Sequence, residues 1–448
     1  MGAGLQSDQH SETARFGPPP GYDRLESSAQ RKDRLVGGRR QADRGVKGAA
    51  LGDLRGDGAA VLIVGAGPAG LVLGNLLRAE GIACLILERQ SREHIERRAR
   101  AGFLAANSVR ILTENGLAAG LRAHGQQHDT CAFRSDHVQF ELKYSGLGRG
   151  EIHTVYPQQD LVRDLLAEYL DRGGDVRFEM TVVDVPDIDS DRPWVRCRSA
   201  DSEVHRWSGR YLAGCDGQHG IVRQAVPPSA VRRYRRDHRI SWLAILAEAP
   251  QSMAAVTYAV HDEGFAGHMA RSPSITRYYL QCPGGDDPAS WSDSRIWDEL
   301  RLRMRTDQYG PLRQGPILER RVVDMCSHVM DPIQHGRLFL AGDAASLISP
   351  SAAKGANLAI MEAEVLAKAL IAGLRRNDER PLARYSAECL PRIWRAQEFS
   401  YWMINLLHGP SGSSDEVAFQ RALQGARLES LQNSRSHQDF FAENYVGI

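Results

Sequence analysis

The segment Gly65-Ala66-Gly67-Pro68-Ala69-Gly70 follows an apolar run and opens a helical pattern. Glycines at this spacing permit a tight turn and close backbone approach, and the helix N-terminus that follows can receive a pyrophosphate. Glu88 closes the next apolar run, where an acid accepts from ribose hydroxyls. Alone, such a glycine motif is a weak signal, but two further turns accompany it. Gly342-Asp343-Ala344-Ala345 lies between an apolar run and a long helical pattern. Its aspartate can accept from a ribityl chain, and the N–H groups of the Lys354, Gly355 and Asn357 helix start can face a flavin ring. Cys215-Asp216-Gly217 also follows an apolar run. Each of these turns by itself is more often structural; the three in this order read as an FAD site.

These residues need strands and helices to hold them. Ala60 to Val64 and Cys84 to Leu87 are continuous apolar runs of buried parallel-strand type, with a helical pattern between them through Leu71, Leu73, Leu76 and Leu77. Helical spacing recurs over Leu161–Leu170 and Ala356–Leu374, and buried-strand character over Tyr211–Cys215 and Arg337–Ala341. Between 233 and 335 the pattern changes to short runs such as Ile240–Leu246 and Thr276–Gln281, strands of a sheet with one covered face. The expectation is an α/β protein: a dinucleotide-binding part over 58–232, a mainly antiparallel substrate sheet over 233–335, and completion of the first part with a helical region over 336–448.

Composition narrows the function. The chain has 448 residues, 42% hydrophobic and 25% charged, enough apolar material for two or three domains at about 150 residues each. Residues 1–57 are the exception: polar, with Pro18-Pro19-Pro20 and few apolar anchors, they read as a disordered tail. Lys+Arg 56 against Asp+Glu 55 leaves a net charge of +1, which argues against nucleic acid. The uncharged stretch Ala59–Leu77 approaches membrane-span length, but its glycines, proline and asparagine fit strand, turn and helix better. The seven cysteines form no C-x-x-C pair, so neither a disulfide scaffold nor a metal site is expected, and the compartment reads as cytoplasm.

Beyond the motifs, long segments carry a resemblance: GAGPAGLVLGNLL, LILERQ, RARAGFL, AGCDGQHGI, QHGRLFLAGDAA, AKGANLA and AENYVG. Over roughly residues 58–448 the chain resembles the p-hydroxybenzoate hydroxylase family of single-component FAD-dependent aromatic hydroxylases. The resemblance implies a glutathione-reductase-like Rossmann fold and NAD(P)H-driven ring hydroxylation by O2 through a flavin hydroperoxide. It places flavin contacts on Glu88, Arg100, Gln158, Asp216 and Asp343, with Arg277 governing flavin movement, and cofactor or substrate contacts on Pro350, Ser351 and Asn357. The carboxylate of a 4-hydroxybenzoate-type substrate falls to Arg271 and Tyr279. Tyr258 hydrogen-bonds the phenol, Tyr445 is its relay partner and His128 passes the proton to water. Such a relay serves the chemistry, since a phenol titrates near 10 and must lose its proton to activate the ring. Arg98, Arg100 and His219 match nicotinamide-nucleotide contacts. With one glycine motif only, NADPH or NADH has no Rossmann domain of its own and must dock transiently. A homodimer is the family expectation.

The sequence departs from the family at the pocket. A small hydroxyl residue two positions before the arginine is Met269, a small apolar residue is Phe103, and a strand leucine is Gly267. Neutral repacking explains such changes, since volume-conserving swaps are cheap; so does a ring-substituted substrate such as 3-amino-4-hydroxybenzoate, used in secondary metabolism. An arginine expected on the nucleotide side is Cys326, which weakens a 2′-phosphate site. A flavin reductase or oxidase would share the FAD motifs without needing Arg271, Tyr258 and Tyr445 together. A non-catalytic FAD-binding protein would tolerate loss of the relay.

Overall fold

The three motif turns converge because their strands are neighbours in one sheet. In the computed structural model, which describes residues 59–98, 102–135, 138–409 and 413–447, this sheet has the order Gln334–His335, Leu338–Leu340, Val204–Gly214, Ala59–Val64, Cys84–Leu87, Asp175–Arg177. The pairs from Leu338–Leu340 through Asp175–Arg177 are parallel. Burial on both faces accounts for their unbroken apolar runs: Val61, Leu62 and Ile63 are fully buried. Gly65, Cys215-Asp216, Gly342-Asp343 and Glu88 all leave the carboxyl ends of these strands, the rim where open α/β sheets bind ligands. The tail expected over 1–57 lies outside the described residues.

Helices cover the sheet. Pro68–Ala79 starts with Gly67 as its N-cap and proline in the first turn, where a missing N–H costs nothing. The Ala59–Leu77 stretch is therefore a strand and part of a helix, and no helix among the described residues is long and apolar enough to cross a membrane. Gly355–Arg376 is the long apolar helix, and Gln158–Asp171 contains the Leu161–Leu170 pattern.

A second sheet runs Ser346–Leu347, Ile317–Asp331, Arg232–Ala247, Ile275–Pro283, Ala266–Ser272, Val256–Ala259, Thr130–Ser135, Val138–Lys143. All its pairs are antiparallel except Val256–Ala259 with Thr130–Ser135. The sheet thus borrows strands from before residue 233 and after 335. A three-stranded sheet of Phe103–Leu104, His153–Val155 and Gln126–His128 lies alongside in the fold, and Tyr385–Leu407, Ser414–Asn433 and Arg435–Tyr445 form the C-terminal helices.

Candidate active site

The glycine turn is shaped by two different demands. Gly65 has φ +105°, and a Cβ there would sit 2.3 Å from the Cys215 carbonyl oxygen. At Gly70 a Cβ would lie 2.0 Å from the Gly65 oxygen. These two glycines let the helix seat against the strand ends. A Cβ on Gly67 would meet nothing within 4 Å, so the chain itself does not require glycine there. Open space at this helix N-terminus fits a pyrophosphate.

The acids around the rim are held by backbone. Glu88, buried, accepts from Ala66 N and Gln90 N at 2.8 Å each. Asp216 accepts from Val222 N at 3.1 Å through Oδ2, while its buried Oδ1 has no partner in the structure. Burial pushes this carboxyl up to about 6, against the pull of the Val222 N–H. An orphaned buried acceptor on this rim is where a ligand hydroxyl or ring N–H would donate. Gly342, with φ +67°, donates its N–H to Glu362 Oε2 at 2.5 Å, which pins the turn carrying Asp343 from beneath. Glu362 is fully buried, and burial raises it to about 8. Its only sequence signal is an acid in the middle of an apolar helix. Gln158 opens its helix, half-buried; Arg100 lies outside the described residues. Arg98 and His219 are exposed, and Cys326 is half-buried on a strand of the second sheet.

The start of the Gly355 helix links this cradle to an aromatic pocket. A Cβ on Gly355 would come 3.9 Å from Asp343 Oδ1. Next to it, buried Lys354 donates from Nζ to the carbonyls of Tyr445 and Gly447, both at 2.8 Å. Burial, with Arg395 nearby, lowers this ammonium to about 7. Asn357 uses its whole amide within the chain. Oδ1 accepts from Ala105 N and Ser108 Oγ at 2.8 and 2.7 Å, and Nδ2 donates to the Phe103 and Ala353 carbonyls at 3.0 Å. For both residues the backbone, not the side chain, is what remains for a ligand.

In the pocket, Tyr258, Gly267 and Tyr279 are successive cross-strand partners, so the two tyrosines flank a glycine on one sheet face. A Cβ on Gly267 would lie 2.9 Å from Phe265 Cζ and 3.4 Å from Tyr279 Cδ2: the volume is filled by the Phe265 ring. That ring stacks on Trp242 at 4.9 Å, and Trp242 lies 4.8 Å from Tyr279. Tyr258 and Tyr445, both buried, share a hydroxyl–hydroxyl bond of 2.7 Å. Burial raises both phenols. Met269, half-buried, faces Arg277 across the strand pair. Arg271 sits where the register shifts between Ala270 and Ser272, a bulge of the kind that re-aims side chains beside sites. Burial lowers its guanidinium, Tyr279 and Glu319 support the charge, and Arg277 opposes it. Buried Arg277 lies 3.9 Å from Glu319 Oε2.

Pro350 is exposed at the start of a short turn. The Ser351 hydroxyl is buried and engaged with Ser349 Oγ at 2.8 Å and Ser400 Oγ at 3.0 Å, a trio that leaves it tied to the chain. Phe103 packs edge-on to His128 and His153 at 5.4 and 5.2 Å, so its bulk bears on the histidines. No direct hydrogen bond joins His128 to Tyr445 among the described residues. Tyr445 instead has His153 edge-on at 4.9 Å and Tyr144 at 5.6 Å. Neither residue carries a motif that could have announced it.

Residues 58–400 match the family described as FAD binding domain. The p-hydroxybenzoate hydroxylase of Acinetobacter baylyi is 34% identical over 388 residues, covering 87% of this chain and 95% of the relative. Pentachlorophenol 4-monooxygenase of Sphingobium chlorophenolicum is 25% identical over 386 residues, with 81% and 68% covered. Among solved structures, p-nitrophenol 4-monooxygenase from Pseudomonas putida superposes with a TM-score of 0.73 at 17% identity, covering 87% of this chain and 98% of the other. The fold and the cradle define a flavoprotein monooxygenase that binds FAD and draws on a nicotinamide reductant. The chain belongs to the p-hydroxybenzoate hydroxylase-like family of FAD-dependent aromatic hydroxylases.

Proposed function

We propose that this enzyme uses NAD(P)H and O2 to hydroxylate the ring of a 4-hydroxybenzoate-type acid. The observation that supports it most is the buried Tyr258–Tyr445 bond in the same strand row as Tyr279, with Arg271 on the adjoining bulge. Residues 58–232 and 336–448 hold the dinucleotide, and 233–335 supply most of the substrate sheet. Gly65, Gly67, Gly70, Glu88, Arg100, Gln158, Asp216, Asp343 and the 354–357 helix start hold FAD, which supplies the electron and oxygen chemistry when bound. Arg271 pairs with the substrate carboxylate, and Tyr279 donates to it. The phenol then meets Tyr258. Because burial disfavours a lasting tyrosinate at either position, Tyr258 gives up its own proton toward Tyr445 only as it takes the substrate's, and Tyr445 passes one on in turn. Trp242 and Phe265 wall the ring from water. Arg98, Arg100 and His219 receive the nicotinamide nucleotide in transit. The same reading makes the protein a homodimeric cytoplasmic enzyme.

A ring-substituted substrate, such as 3-amino-4-hydroxybenzoate, is favoured by the rebuilt wall in which Phe265 fills the space over Gly267 beside Met269. Met269→Ser separates the readings. With plain 4-hydroxybenzoate as substrate, the new hydroxyl donates to the carboxylate, and kcat/KM rises about tenfold or more for a charged hydrogen bond of roughly 1.5–3 kcal/mol. With a substituted ring packed on Met269, the substitution opens a gap and turnover of the amino compound falls. We expect the second outcome. Equal effects on both compounds would remove Met269 from substrate selection.

A further inference from the structure

His128 ends the Gln126–His128 strand, and Tyr144 begins the single turn after Val138–Lys143. Between them a closed set of bonds forms. Val256 N–H donates to His128 Nε2 at 3.3 Å, so that nitrogen carries a lone pair. The ring proton is then on Nδ1, which donates to Tyr144 Oη at 2.8 Å. The Tyr144 hydroxyl in turn donates to the His128 carbonyl at 2.6 Å. Tyr144 is fully buried, and its main chain is tied to the same corner by Tyr144 N donating to Asp129 O at 2.8 Å. On its other side the Tyr144 ring meets Tyr445 and His153, at 5.6 and 5.7 Å.

We infer that Tyr144 is a positioning residue for the proton relay: its hydroxyl proton is committed to the His128 carbonyl, so it accepts from Nδ1–H, and together with the weaker Val256 contact it holds the tautomer that presents Nε2 as the accepting nitrogen. The inference rests on the hydroxylase reading above. A proton leaving the substrate phenol displaces one through Tyr258 and Tyr445; with no direct bond from Tyr445 to His128 among the described residues, a water carries it on to His128 Nε2, giving an imidazolium and breaking the weak Val256 contact. Nδ1–H keeps its Tyr144 acceptor throughout, so the ring does not turn.

The groups facing His128 set the sign of its pH response. They are Asp129 beside it, Tyr144, and His153 directly opposite in the strand pair, with Lys354 acting on His153 from behind. Burial already lowers His128, and Asp129 opposes this. Asp129 is itself held ionised by Thr130 and Ser145, with Lys143 3.7 Å away. An acceptor on Nδ1–H favours the imidazolium, the stronger donor. Removing it therefore lowers His128 further, and the acid limb of kcat moves to lower pH.

Two measurements test this. Histidine-nitrogen NMR on the labelled FAD-loaded enzyme, with the signal assigned through His128→Gln, should show a neutral Nδ1–H ring. In Tyr144→Phe, which keeps the buried ring, only the weak Val256 contact still favours that tautomer, and the signature should give way to a mixture. With 4-hydroxybenzoate and its 3-amino analogue as probes, kcat of Tyr144→Phe should fall about tenfold with the acid limb displaced downward, while KM stays within about twofold. An Nε2–H ring in the wild type would overturn the inference without any variant. So would a Tyr144→Phe enzyme with unchanged kcat and pH profile. If the wild type hydroxylates neither probe, it is the substrate reading that fails, and the tautomer still decides the role of Tyr144.

Discussion

Arg271→Lys is expected to raise the KM for the aromatic acid strongly and to leave FAD content unchanged. A guanidinium offers a planar fork that grips both carboxylate oxygens, whereas an ammonium is a point charge on a shorter reach. Arg271 is set at a strand bulge, half-buried, with Tyr279 and Glu319 near enough to support its charge. Replacing it leaves the substrate carboxylate poorly paired away from water, at a cost of about 2–4 kcal/mol, or roughly 30- to 1000-fold in KM. The loss should be confined to substrates that carry a carboxylate. Steady-state kinetics with the acid and with its neutral amide would check this. An unchanged KM for the acid would place the carboxylate elsewhere.

The second large effect is at Gly67. Its backbone, at φ −79° and ψ −177°, suits any residue, and an added Cβ would touch no atom of the chain. Gly67→Ala should therefore fold like the wild type yet hold FAD about tenfold more weakly or worse, because the new methyl meets the pyrophosphate. The wild-type protein should be yellow, with flavin released intact as FAD on denaturation. Gly65→Ala makes the control, since its strained φ and the Cys215 clash damage the fold itself. Flavin titration beside thermal melts of the flavin-free proteins would distinguish the two. Equal FAD affinity in Gly67→Ala and wild type would show that the phosphates do not approach this turn.

Much of the cradle was legible because its demands are local. A tight turn needs glycine, a buried parallel strand needs an apolar run, and both appear in sequence order at Gly65, Asp216 and Asp343. The pocket was less so. Thr130–Ser135 joins the second sheet through a parallel pairing with Val256–Ala259, a distant contact that no periodicity announces. Lys354 and Asn357 were visible as a helix start, but their side chains turn to carbonyls and amides supplied by remote segments. Gly267 reads as volume moved elsewhere, but that the Phe265 ring takes it up is seen only in the fold. Tyr144, His153 and Glu362 act through partners brought together only by the fold, and isolated tyrosines, histidines and acids are too common to stand out.

The proposed reaction is ring hydroxylation of a phenolic acid. Its most direct measurement follows NAD(P)H oxidation by the FAD-loaded enzyme in air, with 4-hydroxybenzoate or its 3-amino analogue, and records product mass and peroxide in parallel. The expected result is aromatic-dependent NAD(P)H use matched by a product heavier by one oxygen atom, with little peroxide. Consumption that ignores the aromatic acid, or that yields peroxide with the acid recovered unchanged, would contradict it.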